Sequence, residues 1–235
     1  MPWDVWLIFF VLGVIVPWRG RQRLRELLAK PSVSAAERIS LYTSTIAFQW
    51  MAVAVTAWRA WAHGFSAAQL GLVTGNVWVA SAAALVGAAL LTTLQWLNLR
   101  RMGRMSQRVR GSLQALAERI LPQSARERIP FFALAVTAGV CEEFVYRGFA
   151  MAVFRRLGLP SWRVVVLSSI LFGMAHLYQG RSGLIGTTLL GLLFGAARST
   201  FGSLGPVVVW HAGVDIVAGL AGPRYLIHTT DVTSK

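Results

Sequence analysis

Acidic residues are scarce in this chain: nine Asp and Glu stand against 23 Lys and Arg in 235 residues. Cysteine is rarer still. Cys141 is the only one, so no intramolecular disulfide forms and nothing points to an oxidising compartment. Charged residues make up 14% of the chain and hydrophobic ones 55%, which leaves too little charge to solvate a soluble domain of this size. The apolar residues come in long blocks instead, and the class they indicate is a polytopic membrane protein. A net charge of +14 would suit nucleic acid. The basic residues cluster in the gaps between apolar blocks, however, where they meet anionic headgroups and set topology, so the expected partner is membrane lipid and not nucleic acid.

Seven apolar stretches, at 3–18, 39–62, 77–99, 130–154, 161–178, 183–199 and 205–220, predict an all-α, polytopic integral membrane bundle of about seven transmembrane helices. The first is short, and its basic residues follow it rather than precede it, which favours a retained helix over a signal peptide. Segment 19–38 carries six basic residues, with Leu24, Leu27 and Leu28 on a short surface helix. Segment 100–128 holds eight arginines, and Met102, Met105, Val109, Leu113, Leu116 and Ile120 recur at helical spacing. It reads as one basic amphipathic helix on the membrane, an anchor more than a docking surface. Arg59 lies near enough to a span end to snorkel. The glycines at 183, 186, 191 and 195 suit close helix packing. His63 and His228 fall in a loop and the tail and carry no signal. The organisation expected is N-terminal membrane helices over 1–128, a helical core over 129–222 and a short polar tail over 223–235.

Three acids, Glu142, Glu143 and Asp215, lie deep inside apolar blocks. An ionisable group at bilayer depth costs roughly 2.5–3.5 kcal/mol on insertion scales, so each needs a reason to be there. Glu143 and Arg147 are i,i+4 neighbours with the acid N-terminal, the better order for an ion pair. Glu142 sits about 100° round the helix and lacks that partner, so one acid is neutralised and the other left available. His176 follows Phe172 by four residues, and His211 precedes Asp215 by four, so each pair shares a helix face. Depth estimates at about 1.5 Å per residue put Glu142 roughly 18 Å, His211 roughly 16 Å and Asp215 roughly 10 Å from one membrane face, with His176 nearer that surface. Placement toward lipid would leave all of them unsatisfied, so one interior cavity is expected. Two imidazoles and an unpaired carboxylate can activate water by general-base catalysis. The set Glu142, His176 and His211 can equally bind a divalent metal such as zinc. No His-Glu-x-x-His pair is present. Cys141, beside Glu142, reads as an inert buried thiol and not as a nucleophile.

Glu142-Glu143-x-x-x-Arg147, then Phe172-x-x-x-His176, then His211-x-x-x-Asp215, on three successive polar-bearing spans, resembles the CAAX prenyl protease and bacteriocin-processing (CPBP) family of intramembrane proteases. The likeness covers roughly 127–222, and the first three spans carry no matching motif. It implies hydrolysis of a peptide bond in a peptide or protein substrate by water, near the cytoplasmic face of the cell membrane; a prenylated tail is implied by the family name alone. By the same resemblance Glu142 and His176 activate the water, Arg147 holds Glu143, and His211 and Asp215 position water and the oxyanion. The family accepts Asn or Asp at the last position, and an ionised Asp can only accept hydrogen bonds. A metalloprotease and a metal-free glutamate mechanism both fit the motif, so no cofactor is certain. Two other classes would also bury such residues: a proton- or ion-coupled transporter, and a non-catalytic bacteriocin-immunity or binding protein. Against the transporter, the chain is short and shows no inverted repeat.

Seventeen of the 23 basic residues fall in the gaps 19–38, 100–128, 178–183 and 222–235, which places that side in the cytoplasm and the N-terminus outside. Arg155, Arg156 and Arg163 sit awkwardly with this orientation. In intact cells, Arg110→Cys in a Cys141→Ser background should stay unlabelled by a membrane-impermeant thiol reagent; efficient labelling would invert the topology.

Overall fold

A computed structural model describes residues 2–227, apart from the side chains of residues 107–110 and 112; Val109, Arg110 and His228 therefore lie outside what it describes. All the regular secondary structure among the described residues is helical: α1 Trp3–Ala29, α2 Ala35–Ala62, α3 Val77–Gly103, α4 Gln107–Ile120, α5 Ala125–Arg156, α6 Ser161–Ala175, α7 Leu177–Phe201 and α8 Gly205–Leu226. Six of these, all but α4 and α6, are long and apolar enough to cross a membrane. The shorter apolar α6 fills the place of the remaining expected span, so the bundle is polytopic with six full-length candidates rather than seven.

Local chemistry sets the ends. Ser34 and Glu37 form a reciprocal capping box at the start of α2, with Glu37 N–H donating to Ser34 Oγ (3.2 Å) and Ser34 N–H to Glu37 Oε2 (2.8 Å). Asn76 Oδ1 accepts from the N–H groups of Trp78 and Val79 and starts α3. Gly202, at φ 70°, ends α7 in the left-handed conformation a glycine adopts without strain.

Several expected boundaries move. Helix α1 does not stop at Pro17 but runs on through the basic segment. A π-turn at Val11–Ile15 carries the Val16 N–H to the Val11 carbonyl, so the proline falls on the first turn of the α-helix that resumes there, where a missing N–H costs little. The single amphipathic helix expected over 100–128 is three pieces: the end of α3, α4, and the start of α5. Leu121, extended at φ −84° and ψ 149°, precedes Pro122, and the ring of a proline disfavours helical geometry in the residue before it. Residues 178–183, taken as a gap, belong to α7, and α8 continues past 220 to Leu226, into the expected tail.

The core is the middle of α5, where every residue from Glu143 to Val153 is buried; a helix buried on all sides is the centre of its bundle. Helices α2, α6 and α8 pack around it, and α3 packs on α8. Trp210 on α8 crosses to α3, donating from Nε1 to the Ala83 carbonyl (3.0 Å).

Two buried ion pairs join helices in ways the sequence reading did not anticipate. Arg38 on α2 grips the fully buried Glu127 at the start of α5 (Nε to Oε2 2.5 Å). Asp4 on α1 pairs with both Arg59 and His63 (Nε2 to Oδ2 2.9 Å). Arg59 thus ties α2 to α1 through Asp4, and His63 has a defined partner. The awkward arginines at this end are likewise engaged. Arg156 donates to the His63 carbonyl (2.6 Å) and covers the Phe65 ring at 3.6 Å. Arg155 donates to Ser199 Oγ, and the buried Arg198 donates to the Gln69 carbonyl. Exposed Trp3, Trp6, Trp58, Trp61, Trp78 and Trp162 ring the same end, as an interfacial belt does.

A Cβ on Gly87 of α3 would stand 2.2 Å from the Trp210 ring, whereas one on Gly186 of α7 would meet nothing within 4 Å. Gly186 therefore faces open surface and not the packed interface expected of it. Gly87→Ala should lower stability by about 1–3 kcal/mol through overpacking, while Gly186→Ala should leave it unchanged or raise it by about 0.4–1 kcal/mol. Thermal unfolding in detergent reads both, and equal behaviour of the two variants would contradict the packing described.

Candidate active site

The acid pair lies where α5 changes character. Glu142 and Glu143 end its first α-helical stretch, and Phe144–Ala150 is a π-helical turn. Such turns widen the helix by a residue and recur at functional sites. The turn is buried throughout, and Arg147 inside it still reaches back to Glu143, Nη1 to Oε1 at 2.8 Å with both side chains fully buried. The guanidinium rests 4.2 Å from the Phe172 ring centre and 5.6 Å from that of Phe194, a position that supplements its single carboxylate partner.

Glu143 has a second partner. His211 Nδ1 lies 2.8 Å from the same Oε1, so one oxygen joins α5 to α8. That bond makes Nδ1 the protonated nitrogen of His211 and turns Nε2 into the site. His176, at the C-terminal end of α6, is fixed in the same way: its Nδ1 donates to the Phe172 carbonyl at 3.0 Å, leaving Nε2 free. Both free nitrogens face one atom. Glu142 Oε2 stands 3.8 Å from His176 Nε2 and 4.0 Å from His211 Nε2, and it is buried without a hydrogen-bond partner among the described residues. These separations are too long for direct hydrogen bonds.

Asp215 completes the group at its rim. Its Oδ2 lies 3.6 Å from His211 Nε2, and its side chain is 38% exposed, against 19% for Glu142 and 8% for His211. Asp215 is thus the most exposed member of the group, and His176 sits at the end of α6 that lies with the basic segments. The six residues picked out by the sequence, Glu142, Glu143, Arg147, His176, His211 and Asp215, meet in one place.

One neighbour escaped the sequence reading. Gln49, on α2, donates from Nε2 to Glu142 Oε1 at 2.7 Å. The signal was available, since an amide in mid-span is costly without a partner, but a single Gln in an apolar helix names no destination.

The donor chemistry suits a divalent cation: two imidazole nitrogens, each with its other nitrogen held by a carboxylate or carbonyl, and one bare carboxylate oxygen. The spacing does not. Ligands about 2.0–2.2 Å from a tetrahedral zinc stand roughly 3.3–3.5 Å apart, closer than the 3.8 and 4.0 Å found here. Among the described residues no three His, Cys, Asp or Glu side chains are arranged to hold one metal ion.

Residues 125–217 match the family model described as type II CAAX prenyl endopeptidase, Rce1-like. No curated protein and no solved structure matches the chain. The matched segment contains the whole cluster except Gln49.

Glu143→Gln should destabilise by about 3–5 kcal/mol, because it strands a buried guanidinium. Adding Arg147→Met should recover only part of this loss, since His211 still lacks its carboxylate. Full recovery of the melting temperature would show that His211 draws nothing from Glu143.

Proposed function

From the match of residues 125–217 to the Rce1-like endopeptidase model, we propose that the chain is an intramembrane protease of the CPBP family in which Glu142 activates a water for peptide-bond hydrolysis. Six helices long and apolar enough to cross a membrane support a multi-pass membrane protein, and the matched model supports a CAAX-type protease acting on a peptide or protein. The observation that carries the mechanism is the buried, unpartnered Glu142 Oε2, 3.8 and 4.0 Å from the Nε2 atoms of two imidazoles.

In this reading Gln49 occupies Oε1 and so holds the carboxylate with Oε2 as the base. His176 Nε2 accepts a hydrogen bond from the water and orients it. As the water oxygen bonds to the scissile carbonyl carbon, its proton passes to Glu142 Oε2 and the carbonyl π pair moves to oxygen. When the His211 ring carries its second proton, Nε2–H donates to that oxyanion, with Glu143 keeping the ring in place through Nδ1. The tetrahedral centre then collapses. The C–N bond breaks, and Glu142 returns its proton to the departing amine. Asp215, while ionised, only accepts hydrogen bonds, so its role is to position His211 and the water, not to donate to the oxyanion. Arg147 acts only through Glu143.

The spacing of the three donors favours this metal-free route, and cleavage should survive exhaustive chelation. The exposure of Asp215 favours entry of the substrate at that edge of the site, and the excess of Lys and Arg on the basic side favours a cytoplasmic position for that side, with the protein in the cytoplasmic membrane. A substrate anchored in the bilayer by a lipid or an apolar tail, prenylated in the sense of the family name, suits a site at this depth.

Glu142→Gln keeps the shape and the Gln49 contact but removes the basicity. Cleavage of a peptide by the detergent-purified variant should fall by at least about 10²–10⁴, the contribution typical of a positioned general base, with the melting temperature unchanged. Near-normal cleavage by this variant would overturn the assignment, and it would also reopen the transporter reading.

A further inference from the structure

We propose that a cleft between the C-terminal ends of α3 and α8, apart from the catalytic cluster, binds one anionic phospholipid. Its phosphate would be held by Arg100, Arg104 and Arg224, with an acyl chain in the apolar groove alongside. The cleft has a volume of about 410 Å³ and is walled by these arginines, Trp96, Gly103 and Tyr225. A second cavity of about 300 Å³, walled by Thr92, Val217 and Leu220 among others, shares Trp96 with it and runs between the same two helices. The two lie side by side about Trp96, an open hollow lined by arginines next to a shallower, more apolar trough, an order that suits a phospholipid.

Basic residues in the last turn of a helix commonly offset the negative end of its dipole, and that accounts for their presence. It does not account for three guanidinium groups from two helix ends, Arg100 and Arg104 at that of α3 and Arg224 at that of α8, lining a single cleft. Among the described residues none of the three has a carboxylate partner. Two of them lie by the aromatic walls instead, Arg100 at 4.6 Å from the Trp96 ring and Arg224 at 5.8 Å from that of Tyr225. The close approach of the helix ends depends on Gly103, where a Cβ would stand 3.0 Å from the Tyr225 carbonyl oxygen. The trough faces outward, since Leu220 is exposed. The cleft lies at the basic end of the bundle, where the headgroup layer meets the protein, and clefts of this kind between membrane helices suit lipid phosphates. A free phosphate would use the arginines and leave the trough without purpose.

The test titrates the detergent-purified full chain with phosphatidylglycerol and follows bound lipid by native mass spectrometry. Wild type should bind a single phosphatidylglycerol saturably, in preference to phosphatidylcholine and undisturbed by inorganic phosphate at equal concentration. Each arginine removed should weaken binding roughly fivefold, and Arg100→Gln, Arg104→Gln and Arg224→Gln together should weaken it on the order of a hundredfold. A charge-matched control, Arg19→Gln, Arg21→Gln and Arg25→Gln, should leave affinity unchanged. Ala221→Trp, filling the trough, should weaken binding of a long-chain phosphatidylglycerol but not of its dihexanoyl analogue. Equal loss in the two triple variants would reduce the interaction to diffuse surface charge and overturn the site. Competition by inorganic phosphate, or indifference to Ala221→Trp, would overturn the lipid assignment.

Discussion

One carboxylate oxygen holds the centre of this protein together. Glu143 Oε1 accepts from Arg147 within α5 and from His211 on α8, and both contacts are 2.8 Å long and buried. A carboxylate buried in a bilayer-spanning bundle is tolerated only when paired and hydrogen-bonded, and the pairing here does more than neutralise charge. By fixing Nδ1 of His211 it aims Nε2 at Glu142. By satisfying Arg147 within α5 it leaves Glu142, one residue away, without a cationic partner. The difference between two adjacent glutamates thus arises from which one the arginine reaches.

Support for that arrangement comes from outside the segment that carries the motifs. Gln49 brings α2 to Glu142, and Arg38 ties the same helix to the start of α5 through Glu127. Trp210, adjacent to His211, is seated against α3 by a hydrogen bond and by the absence of a side chain at Gly87. The N-terminal helices are therefore a scaffold that sets the positions of α5 and α8, although they carry no recognisable motif of their own.

The six motif residues were legible in the sequence because an ionisable side chain inside an apolar run needs a partner, and i,i+4 spacing says which neighbours share a face. The helical class was legible for the same reason. Contacts between distant helices were not. Gln49 and Glu142, Arg38 and Glu127, and Asp4 with Arg59 and His63 are pairs whose members each look unremarkable in their own helix. Glu127 stands so close to Arg126 and Arg128 that it reads as part of a solvated surface, yet it is fully buried. Periodicity also missed both π-turns. A one-residue widening leaves the apolar pattern intact, so α5 reads as a regular helix, and the first stretch reads as ending at Trp18 because the basic residues begin there.

The central claim is that Arg147 and His211, which share no hydrogen bond with each other, act on one another through Glu143. A double-mutant cycle of Arg147→Met and His211→Asn, read by equilibrium unfolding in detergent, tests it directly. Coupling through the shared carboxylate predicts effects that depart from additivity by on the order of 1 kcal/mol or more, whereas independent sites add within about 0.3–0.5 kcal/mol. Additive losses would mean that Glu143 does not link the two helices, and the account of the site would fail with it.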